Sequence, residues 1–517
     1  MTIGPVSSSA AALAPARRRP WVVRRPERYW LAGHLVVWAA VACALRSNLD
    51  MPGEMLEAYV WGEAWQAGYF KHPPLMAWLA GAWFAVMPRS DASYALLAAA
   101  TVTVGLAGLH ALWCDLLTPC WRAHTAVATL VLPTVTVMAL RFNANAVLLA
   151  VWPWVARFFL RYMDRGRWRD GLGLAAAAAL ALLGKYFSAV LLCALLVAAC
   201  AHPPWRRVLL SPRTAVCAGV GAALLTPHVA WLLRSGFGPV IYAAQATAGW
   251  SGHALACAIR FMLSQAALAL PAAALLAWCA RGSVVRREAL LDVLRPRSDP
   301  LWWVLVGPVA IAAAMTAVLG ARTATVLALA MPPLVALFVA VRLQQHSLAS
   351  PVERPTGRVL AAVWACAPAL AGAAWQVMAS HGQHAVADPR AELAEAVERE
   401  WQRRYRMPLH WVGGSEAHAA AVAFYGASRA TYWSLADTAR RSPWVDPRRV
   451  DLDGGVLVCT LDDMHCQVRA RAWSELSMPL TVNKQARGHV FASVTYLTYW
   501  RPPLTICRSP HRPGPGS

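Results

Sequence analysis

Stretch after stretch of about 20 largely apolar residues dictates what this chain can become, because each is long enough to cross the hydrocarbon core of a bilayer as a helix. About eleven such stretches occur, roughly over 29–46, 92–112, 123–141, 144–162, 170–184, 186–201, 214–233, 255–280, 300–319, 323–343 and 358–378. With 58% of its residues hydrophobic and 14% charged, a chain of 517 residues has too little polar surface for a soluble globule. The expectation is an all-α polytopic membrane domain.

A further apolar run, Leu75 to Met87, is short and is entered through His72-Pro73-Pro74, which suits a re-entrant or interfacial helix better than a crossing. The basic residues decide between the two. If this run does not cross, Arg161, Arg165, Arg167 and Arg169, Arg206, Arg207 and Arg213, Arg281 to Arg297, and Arg342 to Arg358 all fall on the side of Arg17 to Arg28. Positive loops stay in the cytoplasm. The same arrangement puts 47–91, 141–145, Lys185, 234–254, Arg322 and everything after about 380 outside.

The net charge of +22 therefore reads as topology, since its arginines gather in short loops instead of forming one stripe with interleaved aromatics. No nucleic acid is expected as a partner. The expected organisation is a basic cytoplasmic segment over 1–28, a membrane domain over 29–378, a small extracytoplasmic α/β domain over 379–505 and a disordered end over 506–517. Within the tail, 390–405 has helical spacing, while 455–461 and 489–499 are rich in β-branched and aromatic residues. Cys459 and Cys466 are compatible with a disulfide in a compartment outside the cytoplasm, a pairing the spacing alone leaves open.

Ionisable groups at the membrane surface are candidates for function. In this topology they gather on one face: Asp50, Glu54, Glu57, Glu63, Lys71 and His72 in the first outer loop, then Arg141, Asn143 and Asn145, Lys185 with Tyr186 beside it, His228, Arg260 and Arg322. Carboxylates can take a proton from an acceptor hydroxyl, and cations can stabilise charge on a departing phosphate. The set suits transfer of a sugar from a lipid phosphate. Each residue also has a plainer role: Asn143 and Asn145 as helix caps, Lys185 as an interfacial anchor, His228 beside a proline kink. No Walker loop, dinucleotide fingerprint, His-Glu-x-x-His or Gly-x-Ser-x-Gly is present, and Cys114 and Cys120 lack partners at zinc spacing. Neither a cofactor nor a metal is expected.

The stretch LDMPGEMLEAYVWGEAWQAGYFKHPPLMAWL (49–79), with acids after the first span and an aromatic-Lys-His-Pro-Pro-Leu element, resembles the first outer loop of the glycosyltransferase family 39 and 83 group. That group includes protein O-mannosyltransferases and the lipid A aminoarabinose transferase. RFNANAVLLAVWPW (141–154), LLGKYFSAVLL (182–192) and TPHVAWLL (226–233) are similar to its later motifs. The resemblance implies a GT-C fold and an inverting transfer from a polyprenyl-phosphate sugar outside the cytoplasm. It implies a bacterial inner-membrane enzyme whose acceptor is a glycolipid, a polymer or a protein, and whose base is an acid of the first loop. Glu54 matches the family's acidic position, often Asp in relatives, and Glu57 stays open as the alternative. Lys185 matches the lysine expected near the carrier phosphate, and Lys71, His72, Arg141, Asn143, Asn145, Tyr186 and His228 are the expected substrate contacts. Asn143 and Asn145 stand where relatives often have a second acid, which argues against a two-carboxylate metal site. The competing readings are a transporter of lipid-linked sugars, which would favour two similar halves, and an inactive relative that binds carrier lipid. The chain has one acidic loop and no counterpart later.

Overall fold

The computed structural model describes residues 26–45, 53–247, 254–295, 299–319, 328–347, 351–352, 355–381, 388–486 and 489–504. The expected basic segment, apart from 26–28, and the expected disordered end lie outside these residues, as do Asp50 and Arg322. The membrane domain is helical: α1 Pro26–Leu45, α2 Glu54–Ala64, α3 Leu75–Val86, α4 Asp91–Leu116, α5 Pro119–Leu130, α6 Ala144–Arg165, α7 Trp168–Gly184, α8 Ser188–Ala201 and α9 Pro203–Leu209. It continues through α10 Pro212–Arg234, α11 Gly238–Thr247, α12 Ala254–Cys279, α13 Ser283–Leu294, α14 Pro300–Leu305, α15 Gly307–Leu319, α16 Met331–His346 and α17 Thr356–His381.

Each of the eleven expected stretches is helical over most of its described length, but the helices are less uniform than the apolar runs. Among the described residues five are long and apolar enough to cross a membrane, and seven if each of two bent pairs counts as one span. One bend, 72°, follows α5, where Pro133 lacks the N–H that a continuing helix needs and two 3-10 turns, Pro133–Val135 and Val137–Leu140, carry the chain to Arg141. The other, 115°, separates α8 from α9 at His202 and two prolines. The stretch 300–319 is likewise two helices, parted at Val306.

The first connection holds two helices where the sequence suggested one. α2 starts at Gly53, whose φ of 80° is costly for a residue with a Cβ, and it packs on α3 backbone to backbone. A Cβ on Gly62 would stand 2.5 Å from the Gly81 nitrogen, and one on Gly81 would stand 2.6 Å from the Gly62 carbonyl oxygen. Small residues permit this approach.

After the membrane helices comes a small domain: α18 Arg390–Tyr405, β1 Trp411–Gly414, α19 Glu416–Tyr425, β2 Thr431–Tyr432, α20 Thr438–Arg441, α21 Pro447–Asp453, β3 Gly455–Thr460, α22 Met464–Trp473, β4 Ser477–Ala486 and β5 His489–Arg501. Its sheet has the order β2-β1-β3-β5-β4, with β1 parallel to both neighbours and β5 antiparallel to β3 and β4. Cys459 and Cys466 are joined by a disulfide.

This domain is not a separate bead on a string. Leu56, Ala58 and Trp61 of α2 share one buried cluster with Leu393, Trp401, Val412, Phe424 and Trp500 of the tail. Phe424 meets Tyr59 and Phe84 edge to face at 4.9 and 5.3 Å between ring centroids. Arg89 donates to the carbonyls of Ala423 and Gly426, both at 3.1 Å, so a cation closes the C-terminal end of α19. The N-terminal end of α19, with Glu416, is thereby aimed at the connection between α1 and α4.

Candidate active site

α2 presents Glu54 and Glu57 in its first turn, three residues apart and so on one face, where the helix dipole favours negative charge. They line a cavity of about 320 Å³ with Gly53, Lys71, His72, Tyr242 and Glu416. Walls from the first loop, α11 and the tail thus enclose one polar space.

Two chains of hydrogen bonds hold it. In the first, Asn143 caps α6 by accepting from the backbone N–H of Asn145 and Ala146 at 2.9 and 3.0 Å, while its side-chain amide donates to Glu54 Oε2 at 2.8 Å. Lys185, in the turn between α7 and α8, donates to Asn145 Oδ1 at 2.8 Å. The capping role and the functional role of these asparagines therefore coexist. The second chain runs from Glu57, whose Oε1 accepts from Lys71 Nζ at 2.5 Å, to Glu416, 3.4 Å from the same nitrogen.

Burial raises the Glu57 carboxyl to about 8; Lys71 opposes the rise and Glu416 adds to it. Burial works against the Lys71 charge, yet the two carboxylates hold its pKa above the ordinary lysine value. His72 is pushed down to about 3 by burial and by Lys185 and Lys71, so it is a neutral ring. Lys185 is lowered to about 8 by burial, with Glu54 opposing. A buried lysine whose charge is this poorly compensated gains most from an anion beside it.

Tyr186 and His228 form the outer brace. His228 Nδ1 donates to the Ala67 carbonyl at 2.7 Å, which leaves Nε2 to accept from the Tyr186 hydroxyl at 2.9 Å. The loop after α2 is thus tied to α10 and to the residue following Lys185. Arg141 sits just after the second 3-10 turn and Arg260 lies exposed on α12; neither is among the described residues lining the cavity. Among the described residues no group of three or more His, Cys, Asp or Glu side chains is placed to hold a metal ion.

Sequence reasoning missed Glu416 and Tyr242. Glu416 stands before a run of small and apolar residues, AHAAAVAFY, which marks a buried helix but not what that helix faces. Only the shared core of tail and first loop reveals it.

A family described as dolichyl-phosphate-mannose-protein mannosyltransferase matches residues 71–231. Among solved structures, ArnT from Cupriavidus metallidurans bound to undecaprenyl phosphate is similar over 91% of this chain and 97% of that one, with a TM-score of 0.57 and 15% identity. The apo state of the same protein covers the same shares with a TM-score of 0.55 and 14% identity. Among curated proteins no sequence matches. At this identity the structural likeness carries the fold, which is GT-C, on a multi-pass membrane protein with a small C-terminal sheet domain. The family match, which includes Lys71, His72, Asn143, Asn145 and Lys185, supports a transferase.

Proposed function

We propose that this chain moves a sugar from a polyprenyl-phosphate-linked donor to an envelope acceptor, a glycolipid, polymer or protein, on the periplasmic face of a bacterial inner membrane, with inversion at the anomeric carbon. The observation that carries the reading is the hydrogen-bonded path that runs from Glu54, a carboxylate in the cavity wall, through Asn143 and Asn145 to Lys185, which lies behind that wall in a turn 131 residues later. The undecaprenyl phosphate bound by the fold neighbour supports a carrier of that chemical class.

In this reading the acceptor oxygen attacks the anomeric carbon opposite the phosphate. The bond from that carbon to the phosphate oxygen breaks, its electron pair leaves with the phosphate, and the acceptor proton passes to a carboxylate. Lys185, with Lys71 near, stabilises the charge that grows on the phosphate. Glu54 is the base of first choice. Glu57, raised to about 8 by burial, is largely protonated near neutral pH and is already engaged by Lys71, so its part is to hold that lysine.

The test is transfer of labelled sugar by the purified chain in vesicles. Glu54→Gln, which keeps the shape but cannot take a proton, is expected to lose roughly 100-fold to 10,000-fold in rate with an unchanged melting temperature. Parental rates in Glu54→Gln together with a dead Glu57→Gln would move the base to Glu57. Parental rates in both variants would end the acid-loop mechanism. Mass spectrometry of envelope glycolipids from cells with and without the gene identifies sugar and acceptor together.

A further inference from the structure

Beyond Tyr242 the acidic cavity gives way to a basic one. A space of about 260 Å³ is lined by Phe70, Tyr242, Asp437, Arg440, Arg441 and Arg469. A second, about 430 Å³, shares Phe70 and Arg440 and continues past Trp231, Arg234 and Ser235 at the end of α10. Tyr242 lines the acidic cavity as well, so the three spaces adjoin.

The charge here is unbalanced. Arg441 lies 3.9 Å from Glu416 and over the Phe70 ring at 4.8 Å, but among the described residues Arg234, Arg440 and Arg469 have no ion-pair partner, and Asp437 is the one carboxylate in the described lining. Elsewhere arginines meet carboxylates, as Arg157 meets Asp115 and Arg390 meets Asp388. Guanidinium groups gathered without counter-charge repel one another, and an anion with two or three oxygens relieves that through paired N–H donors. The position of the groove narrows the ligand further. Leu233, Phe237, Val240 and Ile241 are exposed around it, 65%, 46%, 44% and 42% respectively, at the end of a helix long enough to cross a membrane. Apolar side chains turned outward beside arginines mark headgroup depth.

We infer that the arginine-lined groove between α10, α11 and the tail seats the phosphate or carboxylate of an anionic lipid headgroup, and that this lipid is the acceptor whose hydroxyl reaches Glu54 past Tyr242. The inference rests on the glycosyl-transfer reading for its second half only. The donor phosphate keeps its own place beside Lys185, so the site handles two anions, one on each side of the carboxylates.

The experiment titrates the full chain in detergent with lysophosphatidic acid and follows the melting temperature, with lysophosphatidylcholine, inorganic phosphate and polyglutamate as comparison ligands. Lysophosphatidic acid is expected to raise the melting temperature saturably. Arg440→Gln/Arg469→Gln, two exposed positions whose exchange should leave folding intact, is expected to need roughly tenfold to a hundredfold more lipid for the same rise. Lys185→Met should respond like the parental chain. An equal response to the zwitterionic lipid overturns the anion site, an equal response to inorganic phosphate makes it a site for free anions, and an equal response to polyglutamate makes it a site for acidic polymers. Unchanged binding in the double variant, or its loss in Lys185→Met, removes the groove from the account. A chain that transfers sugar without preferring the anionic lipid defeats the groove alone, whereas one that binds the lipid but transfers nothing defeats the acceptor assignment through the reading beneath it.

Discussion

The two ends of α6 both meet carboxylates of other elements and do so in different ways. At its far end Arg157 donates to Asp115 at 2.9 Å and Arg161 to Asp170 at 3.1 Å, each cation meeting a carboxylate of a neighbouring helix. Asn143 lies 18 residues before Arg161, about 27 Å away along the helix axis. There Glu54, Glu57 and Glu416 line an open cavity with Lys71, and amides link Glu54 to Lys185 behind it. Another closed cluster joins α13 to α16, where Asp292 is held by His346 at 2.9 Å and Arg342 at 3.6 Å, while Arg342 also pairs with Asp299. The difference teaches that charge at a helix end is no mark of function in itself. What separates the candidate site is that its carboxyl groups and Lys71 border space for a ligand.

If that contrast is right, the strongest effect on stability lies at a closed cluster. The Asp292 side chain is 1% exposed, so Asp292→Ala takes the carboxylate from His346 and one of two from Arg342, which keeps Asp299, and should lose roughly 3 kcal/mol of stability. A melting curve checks this beside Glu54→Gln, which should melt like the parental chain. Equal melting temperatures in all three would erase the distinction.

The next effect is on ligand binding. Lys185→Met should weaken donor use by roughly 1–3 kcal/mol, the scale of a charge-assisted hydrogen bond, and Lys185→Arg should keep part of it. Donor titrations of both variants decide it. Near-normal affinity in the two alike would return Lys185 to the role of an interfacial anchor.

The subtlest effect is in pH. Because burial holds the Glu57 carboxyl at about 8, the folded chain keeps a proton through a range in which the unfolded chain has lost it. The contribution of Glu57 to stability is therefore full below the ordinary carboxyl range and falls away as pH rises toward 8. Glu57→Gln should flatten the fall in melting temperature between about pH 5 and pH 8. Parallel profiles for the parental chain and the variant would contradict a buried, raised Glu57.

Long apolar runs are a one-dimensional signal, and so the helices of the membrane domain were legible, as was the amphipathic α18 over Arg390–Tyr405. Breaks were harder. Pro133 interrupts a run whose composition scarcely changes, whereas the turn at Lys185 falls where the apolar runs 170–184 and 186–201 part, and α2, with Gly62 inside it, is fixed by close packing on Gly81. β4 was missed because Pro479, Asn483, Lys484 and Gln485 obscure any strand pattern; β5 imposes it through antiparallel pairing. Of the candidate site, Glu54, Asn143, Asn145 and Lys185 were each named from sequence and fall on one hydrogen-bonded path. Arg141 stands near that path without lining the cavity. Glu416 comes from the far side of the chain, 345 residues after Lys71, and only the fused core of tail and first loop brings it in.

The claim at the centre is that this cavity receives a lipid phosphate. The most direct test is an electron cryomicroscopy structure of the chain with undecaprenyl phosphate, the ligand held by its fold neighbour. The phosphate is predicted within hydrogen-bond reach of the Lys185 ammonium, on the Glu54 side of Tyr242. A phosphate seated among Arg440, Arg441 and Arg469 instead, or anywhere remote from Lys185 and Glu54, would contradict it.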